Sequence, residues 1–336
     1  MITKKMLNII IKSLFLYLVF FTNVFANQDF DHWVKKFQTT AIESGISKKV
    51  VYEIMSNAKF LPKVIEYDRY QPEFYEDTFT YIKKRSSSRK IKAGVKLYNQ
   101  KRIIIEKIEK DFQVEKELLL ALMGIETNYG NYLGKMDIIS SLATLGYDKR
   151  RSEFFSKELL TILKLIDEGL VDPNILYGSW AGAFGNFQFM PSTIDKYALD
   201  YDNNNKIELK SINDSFASAA NYISKIGWKK NSPCFKRISL KNNIPVKYLN
   251  TSAGNINHKK KLSKYKKYIN NYEEVEEYKN LISAIITPDI EIVDNANKFK
   301  PAYVIFDNYE LVLKWNRSLR FALAVCTLKR EFENEL

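Results

Sequence analysis

Apolar positions in this chain recur mostly three and four residues apart, the period of a helix with one buried face. Phe30, Trp33, Phe37 and Ala41 mark the first such face, within a pattern that reads as helical from Asp29 to about Phe74. Gly45-Ile-Ser47 reads as a stop and then an N-cap for a helix over residues 48–58. Tyr67-Asp-Arg-Tyr-Gln-Pro-Glu-Phe74 breaks the pattern, because Pro72 does not suit a helix interior. A long helix is predicted over 88–111, and others over 114–127, 138–145 and 153–167. Pro191 suits the first turn of the next one. Asp214 reads as the cap of a helix over 215–226 that Gly227 stops. Residues 231–300 are rich in Lys, Asn and Tyr with weak periodicity, and read as a peripheral subdomain. Residues 302–306 read as a short strand, and 308–333 as a helix apolar along Leu313, Leu319, Ala322 and Val325. The sum is a mainly α fold with a few short strands.

Two stretches break the amphipathic rule. Leu118 to Met123 is apolar all round, which describes a buried helix. It runs into Gly124-Ile-Glu-Thr-Asn-Tyr-Gly130, so Glu126 is expected where a buried helix turns out. Burial raises a carboxyl pKa, and a carboxyl kept protonated can act as a general acid. The second stretch is Gly178-Ser-Trp-Ala-Gly-Ala-Phe-Gly-Asn-Phe-Gln-Phe-Met-Pro191. Its glycines permit positive φ and close approach of backbone to a ligand. Ser179, Asn186 and Gln188 offer hydrogen bonds, and Trp180, Phe184 and Phe187 offer flat faces, a combination that suits a sugar polymer. Phe189 and Met190 read as packing.

Composition narrows the chemistry. The 336 residues are 46% hydrophobic, enough for a sizeable core. Only His32 and His258 occur, which argues against a histidine-based triad or a multi-histidine zinc site. Cys234 and Cys326 lack C-x-x-C spacing; in an oxidising compartment they have the option of one disulfide. The net charge of +13 favours anionic surfaces. Its one cluster, Lys259 to Lys261 with Lys264 to Lys267, comes with no nucleic-acid motif, so no nucleic-acid partner is expected. Lys4, Lys5 and Lys12, the apolar run Ser13 to Phe21 and Val24-Phe25-Ala26 make the layout of a signal peptide cut after Ala26. The expected product is a periplasmic monomer that keeps no stable membrane span.

The ordered motifs resemble the lytic murein transglycosylase B family, the lysozyme-like glycoside hydrolase family 103. The resemblance is carried by Gly124 to Gly130, Ser141-Leu-Ala-Thr-Leu145 with Arg150-Arg151, and Gly178 to Ser192. Ala220-Asn-Tyr222, Gly227-Trp228, Asp307-Asn308, Trp315-Asn-Arg-Ser318 and the Tyr67 to Phe74 motif continue it, weakest between 233 and 300. It implies a lysozyme-like core with additional helical subdomains. The implied layout is a signal peptide (1–26), an N-terminal helical region (27–87) and a catalytic core (88–232). A peripheral subdomain (233–300) and a C-terminal strand and helix returning to the core (301–336) complete it.

The implied reaction cleaves the β-1,4 bond from N-acetylmuramic acid to N-acetylglucosamine without water, leaving 1,6-anhydro ends. Most glycosidases use two carboxylates. Here only Glu126 stands out, and Asp137 and Glu153 read as solvated helix-end charges. An inactive peptidoglycan-binding scaffold and a hydrolytic muramidase remain the alternatives. Substrate contacts carry over to Ser179, Gln188, Tyr222 and Asn308, while Arg150 and Arg151 meet anionic or peptide parts. Trp315 falls at an aromatic position of the family that is either substrate-facing or core. Residues 200–214 resemble the EF-hand-like calcium loop of some members. Asp200, Asp202, Asn204 and Lys206 stand at positions one, three, five and seven, the last through its carbonyl. Asn205 replaces the usual glycine, and Ser211 stands at position twelve, so Asp214 is the candidate last ligand. Calcium, or sodium, is thus expected as a structural ion, with no cofactor needed for the chemistry.

Overall fold

Helix-period patterning becomes twelve α-helices in the described residues of this computed structural model, 28–70 and 76–336. The expected signal peptide and residues 71–74 of the aromatic motif lie outside them. In chain order the helices are α1 (28–43), α2 (Lys48–Met55), α3 (Pro62–Arg69), α4 (Thr78–Arg85), α5 (Ser88–Phe112) and α6 (Lys116–Thr127). Then follow α7 (Ile138–Tyr147), α8 (Ser152–Asp167), α9 (Pro191–Tyr197), α10 (Ile212–Lys225), α11 (Asp307–Trp315) and α12 (Leu319–Glu335). No helix among the described residues is long and apolar enough to cross a membrane. The chain divides into two compact units, each woven from separate segments.

The first unit comprises residues up to Arg69, Gly134–Phe184 and Met190–Asp195. Helix α7 packs on α8, and α2 and α3 pack on the same pair. Phe30, Phe37 and Ala41 are buried from α1, as their spacing requires. Ser47 caps α2 by accepting from the Val50 N–H. β1 (Met136–Asp137) and β2 (Tyr177–Gly178) pair antiparallel. Their approach brings Gly134, at φ +85, so near Gly178 that a Cβ would meet its carbonyl at 2.0 Å.

The second unit comprises Tyr70–Leu133, Gly185–Phe189 and Lys196–Leu336. Helix α6 is its centre: Leu118 to Gly124 are all buried, against α12 and α5. Two boundaries differ from the sequence reading. Ser211, not Asp214, caps α10, accepting from the Asp214 N–H while Asp214 sits in the first turn. The apolar face of 308–333 spans two helices, because Asn316 to Ser318 leave helical geometry and Ser318 caps α12.

Residues 235–305 hold a five-stranded sheet that the weak periodicity concealed. Its order is β3 (Phe235–Ile238), β7 (Ala302–Ile305), β6 (Ile282–Ile286) and β4 (Leu249–Asn250), with β5 (Lys260–Lys261) also on β6. The strand expected at 302–306 is β7. Two 3₁₀ segments, Leu262–Tyr268 and Tyr272–Tyr278, cover the sheet's core of Ile238, Leu249, Ile285 and Val304. Three residues per turn puts Leu262 and Tyr265, and Tyr272 and Val275, on one buried face each. Cys234, just ahead of β3, is disulfide-bonded to Cys326 in α12 with Cα atoms 6.1 Å apart.

Candidate active site

Glu126 lies one residue from the C-terminus of α6 and is half-buried. Three successive left-handed residues, Asn128, Tyr129 and Gly130, then reverse the chain. Asn accepts this conformation readily and Gly without cost, whereas Tyr129 must be held in it. The Tyr129 hydroxyl donates to the Lys90 carbonyl at 2.9 Å, and its ring packs over Gly124. A Cβ on Gly124 would stand 2.6 Å from that hydroxyl, which explains the glycine two residues before the acid. Burial pushes the Tyr129 phenol well up, so it stays neutral. The Lys90 ammonium donates to the Gly124 carbonyl, an interaction the sequence reading missed. Burial, then the nearby Arg85 charge, lowers the Lys90 pKa.

The aromatic wall beside Glu126 comes from far along the chain. Trp315, the last residue of α11, donates its indole N–H to Glu126 Oε1 at 3.0 Å. Its ring stacks on Tyr222 of α10, with centroids 5.2 Å apart and planes at 24°. Tyr222 in turn stacks on Tyr197 at 4.5 Å. Tyr222 is fixed by its hydroxyl, which donates to the Lys314 carbonyl, and burial raises its phenol pKa. Phe187 and Phe189 are buried and pack against Trp315 from behind, so these two rings support the wall and do not form its face, while Phe184 is buried within the first unit.

The Gly185–Phe189 part of the glycine-rich stretch belongs to the same unit. Asn186 is buried, and its amide donates to the Lys210 carbonyl and the Ser215 hydroxyl. The Thr127 hydroxyl donates to the Asn186 carbonyl at 2.8 Å, which ties the loop to the end of α6. Gly185, at φ +79, is needed because a Cβ would meet Leu209 at 2.6 Å. Gln188 adopts φ +50, and its Nε2 donates to the Gly185 and Leu133 carbonyls at 2.9 and 3.2 Å. Its amide plane is thereby set, with Oε1 left to accept.

Glu126, Gln188, Tyr222 and Trp315 thus share the second unit. The other residues singled out have different surroundings. Asn308 is wholly buried, and its amide is spent on the Lys229 N–H and the Lys229 and Ser232 carbonyls, so it secures a loop and has no exposed face for a sugar. That loop is anchored further by buried Glu115, which accepts from the Trp228 indole at 2.5 Å and the Asn231 N–H at 3.0 Å. Ser179, Arg150 and Arg151 belong to the first unit. Ser179 closes a tight turn, accepting the Ala183 N–H on its hydroxyl. Both arginines grip the buried carboxylate of Asp68, Arg150 through Nε at 2.7 Å. Asp137 caps α7, and Glu153 pairs with Lys157 on the surface, so neither candidate second carboxylate is held for chemistry.

The acidic loop gathers its oxygens. Carboxylate oxygens of Asp200, Asp202 and Asp214 lie within 4.8 Å of one another. Burial raises the Asp214 pKa; the Glu208 and Tyr201 N–H groups oppose this, and the charges of Asp202 and Asp200 add to it. Asn205 takes φ +65 in place of the usual glycine, and Asn204 Oδ1 accepts from the Lys206 N–H. An all-oxygen set with repelling carboxylates fits a hard cation such as calcium.

A transglycosylase SLT domain model matches residues 29–330. The membrane-bound lytic murein transglycosylase B of Escherichia coli K12 is 33% identical over 221 residues, 63% of this chain and 59% of that protein. The aligned part is thus less than two thirds of that relative's length. The solved structure of SltB3 from Pseudomonas aeruginosa with NAG-NAM-pentapeptide superposes with a TM-score of 0.77 at 28% identity, over 90% of this chain and 79% of that one. The Escherichia coli lytic transglycosylase Slt35 in complex with calcium superposes with a TM-score of 0.71 at 24% identity, over 92% and 94%. The mainly α, lysozyme-like fold that the motifs implied is the fold observed. With most of its length matched by the domain model, this chain belongs to the transglycosylase SLT domain family.

Proposed function

We propose that this protein is a lytic transglycosylase that cuts the MurNAc-β-1,4-GlcNAc bond of peptidoglycan, with Glu126 as its only acid/base. The observation that carries this reading is Glu126 at the end of a buried helix, with the Trp315 indole on one carboxyl oxygen and a stacked aromatic wall beside it. Family membership and a relative solved with a NAG-NAM-pentapeptide support it.

Glu126 gives its proton to the glycosidic oxygen as the C1–O bond breaks, which frees the GlcNAc hydroxyl. The resulting carboxylate then takes the proton of the muramoyl 6-hydroxyl while that oxygen bonds to C1. No water is consumed, and attack from within the same ring needs no second carboxylate. The indole N–H favours Oε1 whenever charge develops on the carboxylate. The half-exposed stack of Tyr222 and Trp315 is assigned to the sugars, and Gln188 presents an acceptor for N–H or O–H groups. Ser179 is assigned a substrate contact, and Arg150 and Arg151 the anionic or peptide parts of the substrate, through their exposed edges. Asp200, Asp202 and Asp214, with Asn204 and the Lys206 carbonyl, would hold a structural calcium or sodium that screens their mutual repulsion. The site of action is the periplasm, after cleavage behind Ala26.

Mass spectrometry of murein digests tests the reaction. Anhydro products, one water lighter than hydrolytic ones, are expected, and Glu126→Gln should release none while keeping its melting temperature. Reducing-end products would instead make the protein a muramidase, and binding without release would make it a scaffold.

A further inference from the structure

Most of the lysine cluster lies on the five-stranded subdomain, outside the machinery described above. There Tyr248 is the hub. Lys260 Nζ lies 4.5 Å above its ring and donates to its hydroxyl at 3.2 Å, and Lys247 Nζ lies 5.7 Å from the same ring. Tyr268 packs at 5.9 Å with Lys267 over its own ring at 4.9 Å, and the His258 ring meets Tyr248 edge-on at 5.4 Å. The bond from Lys260, then the charges of Lys260, Lys247 and Lys267, lower the Tyr248 phenol pKa, a mark of concentrated positive potential. Lys247 and Lys267 are exposed, and among the described residues no carboxylate pairs with Lys247, Lys260 or Lys267. Acidic residues are segregated onto the neighbouring 3₁₀ segment Tyr272–Tyr278, where Glu276 takes up Lys266.

We propose that this lysine-tyrosine face is a second binding site for peptidoglycan, taking the carboxylates of stem peptides on its lysines, with sugars lying along the half-exposed rims of Tyr248 and Tyr268. The proposal rests on murein being the substrate and adds a holding site for the insoluble polymer. Cations interleaved with aromatic rings suit a chain whose units alternate flat sugar faces with carboxylates. An anionic membrane is the less favoured partner, because insertion calls for a patch of protruding apolar side chains, and the exposed Val246, Leu281 and Ile282 of this subdomain are outnumbered by its lysines.

The test compares the full chain with a Lys247→Gln/Lys260→Gln/Lys267→Gln variant, both carrying Glu126→Gln so that nothing is digested. Retention on purified murein sacculi is measured by pelleting against salt concentration. About tenfold weaker retention is expected for the triple variant, together with loss of most of the salt dependence seen in its parent. With Glu126 restored, the variant should digest sacculi more slowly yet turn over short soluble muropeptides at the parental rate. Equal retention by both proteins overturns the proposal. So does undiminished retention on sacculi stripped of stem peptides, or tighter binding of the parent to phosphatidylglycerol-phosphatidylethanolamine vesicles than to sacculi. Retention does not require chemistry, so a digest lacking anhydro ends would sink the catalytic reading and leave this one standing.

Discussion

At the scale of single residues, one indole–carboxylate hydrogen bond joins Trp315 of α11 to Glu126 of α6. Glu126 stands out because one carboxylate follows an apolar run that only a buried helix explains. Trp315 is 189 residues away, and no local pattern joins the two. The arginines and Asn308 carry the same lesson, since polar residues in recognisable motifs spend their groups on Asp68 and on the 229–232 loop. Trp315→Phe keeps the ring and removes the donor. It should lower turnover roughly tenfold, in line with the ~1.5 kcal/mol of a hydrogen bond to a charged group, and change KM little. Steady-state rates on soluble muropeptides read the two apart, and a rise in KM at constant turnover would count against the indole acting on the carboxylate.

At the scale of elements, helix boundaries were read best where a cap has one clear partner, as at Ser47. At α10 the sequence reading named Asp214 as the cap, whereas Ser211 caps the helix and Asp214 is turned towards Asp200 and Asp202. That arrangement sets three carboxylates together and predicts a cation-dependent melting temperature. Adding calcium to chelator-treated protein should raise it by several degrees, and Asp202→Asn with Asp200→Asn should abolish the rise; calorimetry with and without chelator decides. The sheet of 235–305 was concealed because its strands are two to five residues long and its 3₁₀ segments repeat every three residues, a period between those of helix and strand.

Helices α6 and α12 are joined by another element-scale device. Burial works against the charge of Lys329, but the carboxylates of Glu115 and Glu333 outweigh it and raise its pKa above the ordinary 10.5. A cation whose folded pKa is raised stabilises fully below its unfolded value, and that stability is lost as pH rises through the folded one. The stability gap between the parent and Lys329→Met should therefore hold at neutral pH and narrow above about 10.5, measured by denaturant unfolding across that range.

For the whole molecule, composition and motif order were enough for the fold class, whereas the two units interleave along the chain and no composition shift marks their segments. The pairing of Cys234 with Cys326, left open by spacing, ties the start of the sheet to α12 across a separation of 92 residues. Closing a loop of that length should contribute about 4.6 kcal/mol through the unfolded state. Treatment with a dithiol should lower the melting temperature of the parent and leave a Cys234→Ser/Cys326→Ser variant unmoved.

Trp315 lies inside that covalent loop and Glu126 lies outside it. While the two thiols are unpaired, the segment bearing the indole lacks this covalent closure, whereas Glu126, outside the loop, does not depend on it. Oxidation of the pair is thus expected to steady the indole's side of the Glu126–Trp315 contact more than the carboxylate's.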